Sequence, residues 1–376
     1  MFIIIVIGEC KMGKIIEFIK DKIYYISGAT VVLIILLIII SSCSNSGKGY
    51  AGIEQKMVTA ARNYYQERQN KLPKEDGNSV KVTINTLIDA ELIKEIKDPK
   101  NKEQTCDGFV QVKKVDDDYA FIPFLTCKGN YEPKYLLDVI KNSKLDEYGN
   151  GVYTMDDYPG EYVYRGDDVN NHIIFNDQEW KIIKVDSDNT IELVYNADRN
   201  TTRYAWDSDY NSEKERNYGD NTDYLHSDIR KTLVEFYETN FTNESKAHIV
   251  KKDICIGRKA IDAKESARDE CSVTRTEKIG LLRVSDYSKA SLDSGCVRYD
   301  YPECSNRNYF TNSEIATWLL TAVADNTYQV YTLSSSGIVE TRASSTKKIY
   351  PVIYLDKDVV VIQGDGSVEN PYIVKY

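Results

Sequence analysis

Cysteine leads the few residue types here that could do covalent chemistry. The chain has eight. Cys10 and Cys43 flank a long apolar run, which leaves Cys106, Cys127, Cys255, Cys271, Cys296 and Cys304 as an even set, as disulfide pairing requires. Six cysteines allow fifteen connectivities. Their spacing forms three local couples, so 106 with 127, 255 with 271 and 296 with 304 is the expected pairing, each closing a short loop for about 2–4 kcal/mol. The alternatives are buried free thiols or a zinc site, but zinc would need C-x-x-C or H-x-x-x-H spacing and His172, His226 and His248 are scattered.

Other chemistry is harder to place. A nucleophile needs a base within hydrogen-bond reach, and no G-x-S-x-G, catalytic-cysteine context or phosphate loop is present. Asp207, Asp209, Asn211 and Glu213 alternate oxygen ligands as a calcium loop begins, yet Ser212 stands where glycine is needed and Tyr218 where the closing glutamate belongs. A solvated loop is expected there. The sequence therefore assigns no catalytic residue, no cofactor and no metal ligand. With 48 Lys and Arg against 58 Asp and Glu, the net charge of −10 repels phosphate backbones and argues against a nucleic-acid partner.

The elements that would position such groups begin with an anchor. Ile23 to Ile40 is an uncharged apolar run of eighteen residues, about the length a helix needs to cross a bilayer core. Lys11, Lys14, Lys20 and Lys22 precede it and only Lys48, Lys56 and Arg62 follow closely, so the positive-inside rule predicts a transmembrane helix over 23–42 with a cytoplasmic N-terminus, residues 1–22. Ile40-Ser41-Ser42-Cys43 also fits a lipobox, which would make the span a lipoprotein signal and Cys43 the lipidated residue. Both readings put the remaining chain in an oxidising exterior, in agreement with the even cysteine set.

Beyond it, Ile53, Met57, Ala60, Ala61 and Tyr64 fall at helical spacing and Pro73 marks the end. A second helix is predicted in VTINTLIDAELI, capped by Thr83 or Asn85. Period-two alternation on either side of Asp116-Asp117-Asp118 then predicts a hairpin bounded by Cys106 and Cys127. This layout, with Thr86-Leu87 to Leu92-Ile93 and the Lys97-Asp98-Pro99 turn, resembles type IV pilin and pseudopilin-like proteins of Gram-positive bacteria over about 24–135. The prepilin signature of Gly followed by Phe-Thr-x-x-Glu is absent. A pilin-like extracellular domain over 43–135 and a linker over 136–160 are the resulting expectation.

From 161 the chain reads as short strands and two helices. EWKIIKV and TIELVYN flank the turn Asp186 to Asn189, with Trp180 toward the core. Ser227 caps a helix carrying Ile229, Leu233, Phe236 and Tyr237, and Thr311 to Glu314 fits a capping box leading a second helix into IATWLL. Two polar insertions, 198–226 and 251–278, read as surface loops. Trp180, Ser227-x-Ile229-Arg230, Gly280-Leu281-Leu282-Arg283-Val284-Ser285-Asp286-Tyr287, Trp318-Leu319, Pro351 to Leu355 and the Gly364-Asp365-Gly366 tail occur in order. They resemble a bacterial surface domain of unknown function related to C-type-lectin-like and formylglycine-generating-enzyme folds, over about 161–376. The resemblance implies a scaffold for loops, with Ser285 as a helix cap and Gly364 and Gly366 as turn formers.

The whole is expected to be α+β: a transmembrane helix, a small pilin-like α+β domain, then a C-type-lectin-like α+β domain. Its expected role is non-catalytic ligand binding or adhesion, as a single-pass cell-membrane protein with extracellular C-terminal domains. The expected partners are membrane lipid through residues 23–42 and an extracellular glycan, cell-wall or protein ligand. A minor pseudopilin-like component of a secretion or pilus system is the alternative.

Overall fold

The computed structural model describes residues 49–156, 158–196, 202–260, 270–311, 316–335 and 337–375. The chain divides into two compact units, one holding described residues up to 114 and 121–133, the other 115–120 and 134–375.

In the first unit, α1 (Tyr50–Gln66) buries Met57, Ala60 and Ala61 of the predicted stripe, together with Glu54 and Tyr65, while the predicted Ile53 and Tyr64 are half-buried. Strand β1 (Ser79–Thr83), missed in the sequence, runs directly into α2 (Ile84–Asp89). Thr83 Oγ1 caps that helix by accepting the Thr86 amide at 3.2 Å. The helix stops at Asp89, short of the predicted Leu92 and Ile93. Strands β2 (Asp107–Val115) and β3 (Asp118–Thr126) complete a three-stranded sheet in the order β1-β2-β3, and Cys106 is joined to Cys127 at the base of the hairpin.

The second unit opens with α3 (Leu136–Lys141), β4 (Gly151–Met155) and β5 (Tyr158–Arg165). The predicted linker 136–160 is thus folded: Leu136 and Ile140 are buried, and β4 pairs with β5, which pairs with β7. Its Asp, Asn and Gly residues serve turns between short elements. Then come β6 (His172–Phe175), β7 (Gln178–Val185), β8 (Ile191–Tyr195), β9 (Tyr204–Ala205), α4 (Asp228–Asn240) and α5 (Asn243–Lys246). Ser227 caps α4 by accepting the Arg230 amide, as predicted.

Strands β10 (Lys252–Cys255), β11 (Arg258–Lys259), β12 (Thr274–Glu277) and β13 (Ile279–Leu281) follow, and then α6 (Val284–Lys289). Ser285 lies inside α6 and does not cap it. The helix start is held by Asp286, which accepts the Arg283 amide at 2.9 Å. The remaining strands are β14 (Thr317–Val323), β15 (Gln329–Ser334), β16 (Gly337–Arg342), β17 (Thr346–Lys347), β18 (Pro351–Leu355), β19 (Val360–Gln363) and β20 (Tyr372–Lys375). Of the helix predicted from Thr311 to Glu314 into IATWLL, 312–315 lie outside the described residues, and the part from Thr317 is instead β14. All seven of its residues are buried, and a short run apolar on both faces gives periodicity nothing to separate helix from strand.

A nine-stranded sheet runs β13-β18-β8-β7-β6-β20-β19 with β5 and β4 branching from β7, and a four-stranded sheet runs β11-β14-β15-β16. The described residues are mostly β, 37% strand against 20% helix, which overturns the α+β expectation. No helix among the described residues is long and apolar enough to cross a membrane. The transmembrane segment predicted over 23–42, and Cys43, lie outside the described residues.

Trp180 is wholly buried at the centre of the second unit's core. Its Nε1 donates to Phe175 O at 3.1 Å, and its ring packs 5.0 Å from Tyr195 and 5.9 Å from Phe241. Trp180→Ala should cost about 3–5 kcal/mol in urea unfolding. A loss under about 1 kcal/mol would mean that the core is built elsewhere.

Candidate functional site

Of the two insertions read as surface loops, 198–201 and 261–269 lie outside the described residues, and the described parts are folded and fastened down. In the first, Asp207 Oδ1 accepts the amides of Asp209 at 3.0 Å and Asp220 at 2.8 Å. Asn211 Nδ2 donates to Gly219 O at 3.0 Å and Thr327 O at 3.1 Å, and Asn221 Nδ2 donates to Asn326 O at 2.9 Å and Gln329 O at 2.5 Å. Glu213 accepts the Thr327 amide at 3.0 Å. Asp207 and Glu213, two of the residues that resemble a calcium loop, therefore turn their oxygens to the chain itself. Among the described residues no three or more His, Cys, Asp or Glu are grouped to hold a metal. The solvated loop expected there is instead partly core, since Asp207, Asn211 and Asn221 are buried and Trp206 is 1% exposed.

The described part of the second insertion holds an antiparallel ribbon, β10 against β12 from Lys252↔Glu277 to Cys255↔Thr274, closed by the Cys255–Cys271 disulfide. Just beyond it β11 joins β14 in parallel. The third expected pair, Cys296 and Cys304, is also joined. Three disulfides indicate an oxidising environment.

The two insertions meet around a cavity of about 230 Å³. The first contributes Trp206 and residues 221–225, and the second contributes 256–258, Ser272, Val273 and Arg275. Leu320 and Ala322 of β14 add apolar surface. Leu225 and Val273 are exposed, at 38% and 45%. Arg258 is held in place by donating Nε to Val323 O at 3.1 Å and Nη2 to Asn326 O at 2.5 Å. Three buried polar atoms of lining side chains, Trp206 Nε1, Asn221 Oδ1 and the Tyr224 hydroxyl, have no hydrogen-bond partner among the described residues. Burial pushes the Tyr224 phenol well above its ordinary range, and Glu277 adds to the effect.

A second cleft of about 240 Å³ uses the same ribbon, through residues 252–255 and Cys271, against Lys184, Asp186, Glu192 and Arg283. Lys184 Nζ lies 2.8 Å from Asp186 Oδ1, 3.4 Å from Glu192 Oε2 and 4.0 Å from Asp286 Oδ1. Arg283 grips Asp286 with Nη2 to Oδ1 at 2.6 Å and Nε to Oδ2 at 3.0 Å, and Lys252 reaches Asp186 at 3.0 Å and Asp188 at 2.6 Å. Lys184 and Glu192 face each other across the β7–β8 register, so strand pairing sets their contact.

Burial disfavours charge on every member, and the pairings decide which members keep it. Burial opposes ionisation of Asp186, but Lys184 and Lys252 outweigh it and hold the carboxyl below its usual range. Arg283 and Lys184 do the same for Asp286. Glu192, 2% exposed and farther from its cations, is pushed up to about 7 by burial, with Asp286 and Asp186 adding to the shift. Such a split between carboxyls is what an acid–base pair needs. Here, however, the charged members spend their oxygens on clamping cations, so the cluster is a structural joint that lines a cleft.

Sequence reasoning pairs the six cysteines as the structure joins them and points to the two insertions. It misses the Lys184–Glu192–Arg283–Asp286 cluster. The available signal is charge inside apolar strand patterns, at Lys184 of β7 and Glu192 of β8. None of the family models, curated proteins or solved structures compared with the chain matches it.

Glu192 generates a pH prediction. Its folded value near 7 lies above an unfolded value of about 4.3, so its stabilisation is complete below about 4.3 and is lost as pH rises through 7. His172, pushed down to about 4 by burial, acts oppositely below about 6.5, so the readout is the difference between wild type and Glu192→Gln. The variant should match wild type near pH 4 and exceed it near pH 8 by roughly 4 kcal/mol at most. Thermal unfolding at both values checks this, and a difference independent of pH would contradict it.

Proposed function

We propose that this is a non-catalytic recognition protein of an oxidising, extracytoplasmic compartment, whose second unit binds a ligand at the cavity between the two insertions. One observation carries the reading: two long polar insertions are fastened by buried asparagines and a disulfide around a cavity that combines an apolar wall, exposed Leu225 and Val273, and two arginines. Fixing loops in this way lowers the entropy that binding would otherwise cost. Few polar groups set in apolar surface are the usual make-up of a ligand site. A glycan, cell-wall or protein ligand fits this mixture, and membrane lipid through residues 23–42 is the second proposed partner. Kinship with C-type-lectin-like surface domains belongs to the same proposal.

Screening the purified protein against glycan, cell-wall and protein arrays should return a ligand. Val273→Asp and Arg275→Ala should each weaken its binding about tenfold or more without lowering the melting temperature. Silence in all three classes, or a ligand indifferent to both changes, would overturn the assignment.

A further inference from the structure

The insertion cavity carries more positive charge than its own acids neutralise. Two guanidinium groups line it, on a chain whose net charge is −10. Arg258 spends Nε on Val323 O and Nη2 on Asn326 O, and its Nη1 has no partner among the described residues. Arg275 of β12 makes one hydrogen bond, from Nη1 to Thr274 O at 2.9 Å, and its other nitrogens have none among the described residues. The acids nearby are already engaged. Glu277, two residues along β12 and so on the same face as Arg275, accepts Arg230 Nε at 2.6 Å. Asp223, the carboxylate among the lining residues, pairs with His226 at 2.6 Å.

The rest of the lining says what accompanies a negative group. Trp206 Nε1 is a buried donor and Asn221 Oδ1 a buried acceptor, both without a partner among the described residues. A hydroxyl donates and accepts, so a ligand with several hydroxyls answers both. Leu225, Val273, Leu320 and Ala322 offer aliphatic surface for the C–H face of a ring. At about 230 Å³ the space falls below the roughly 300–1,000 Å³ of sites for drug-sized ligands, so it takes one ring-sized unit. The chain's own negative field disfavours a densely charged polyanion, whereas a single carboxylate meets the two arginines locally.

We propose that the cavity binds a glycan through a single uronic-acid unit, with the carboxylate on Arg258 and Arg275, the hydroxyls on Trp206 and Asn221 and the ring against Leu225 and Val273. The inference rests on the reading of this cavity as a ligand site and names the class of ligand. A guanidinium presents its donors in a rigid fork that matches a carboxylate, and the two backbone bonds of Arg258 hold that fork before any ligand arrives. An acidic side chain of a protein ligand would supply the carboxylate without the ring of hydroxyls, so the sugar is favoured.

Saturation-transfer NMR titrations of the full chain with the methyl glycosides of glucuronic and galacturonic acid test it. The comparison probes are methyl glucoside and methyl galactoside, which exchange only the carboxylate for a hydroxymethyl, and N-acetyl-glutamate amide as an acidic peptide unit. At least one uronide should bind saturably, about tenfold or more tightly than its neutral counterpart, and added salt should narrow the gap. Arg275→Gln and Arg258→Gln should each bring the uronide close to its neutral counterpart. If Arg258→Gln fails to fold, Arg275→Gln, at an exposed position, still decides. Equal binding of acidic and neutral sugars, or tighter binding of the glutamate probe than of any sugar, would overturn the inference and leave the cavity a ligand site, whose own failure is read from silent arrays. A uronide preference indifferent to both arginine changes, or no saturable binding of any probe at millimolar concentration, would overturn it as well.

Discussion

Buried charge that must be paired constrains this fold more than any other interaction. Lys184, Glu192, Arg283 and Asp286 come from β7, β8, the turn before α6 and α6 itself, and no member is more than 13% exposed at its side chain. Stranding one buried ion by removing its partner costs about 3–5 kcal/mol, whereas the intact set adds little net stability. Such a cluster acts mainly on specificity. The β7–β8 hairpin cannot slip in register, because a one-residue shift would turn Lys184 away from Glu192. Nor can α6 rotate without pulling Asp286 out of the Arg283 fork.

The disulfides act one level further out. Cys255–Cys271 ties the ends of a ribbon that would otherwise hold by a four-residue pairing alone, and that ribbon forms one wall of each of two cavities. A two-stranded ribbon is marginal by itself. Closing its loop restricts the unfolded chain by about 3 kcal/mol, enough to keep both walls in place. The charge cluster and the disulfide meet at Arg283, whose Nη1 lies 3.9 Å from Cys271 Sγ, so the ribbon is held at its base by both devices.

Much of this was legible in the sequence where local rules dominate. Ser227 as cap, the apolar stripe of α1, the β7–β8 hairpin and the three cysteine couples each depend on residues within about twenty positions of one another. Long-range placement was not legible. Thr317–Val323 has a composition that suits a helix or a strand, and only the surrounding sheet settles it as β14. Residues 136–160 look like a connector because their elements are short and rich in turn residues, although β5 completes its pairing on β7, about twenty positions later. The insertion over 198–226 reads as solvated because asparagine and aspartate usually face water. Here Asn211 and Asn221 serve as internal hydrogen-bond hubs to a strand pair more than a hundred residues away. The Lys184–Asp286 contact was invisible for the same reason, since each charge taken alone looks like surface.

The same accounting bears on where ligands belong. A buried polar atom without a partner costs about 1–3 kcal/mol, so a fold keeps such atoms only where something else requires them. Among the described residues, Trp206 Nε1, Asn221 Oδ1 and the Tyr224 hydroxyl belong to side chains that line the insertion cavity. Others, such as those of Tyr164 and Tyr237, lie in the core away from that cavity. The orphan atoms are therefore not proof of a site by position alone. They gain weight where they coincide with a cavity, with further donors and with apolar surface, and the insertion cavity meets that stricter condition. The charged cleft does not, because Lys184, Arg283 and Lys252 already satisfy its carboxylates, and a bound ion would have to break pairs that hold β7, β8 and α6 together.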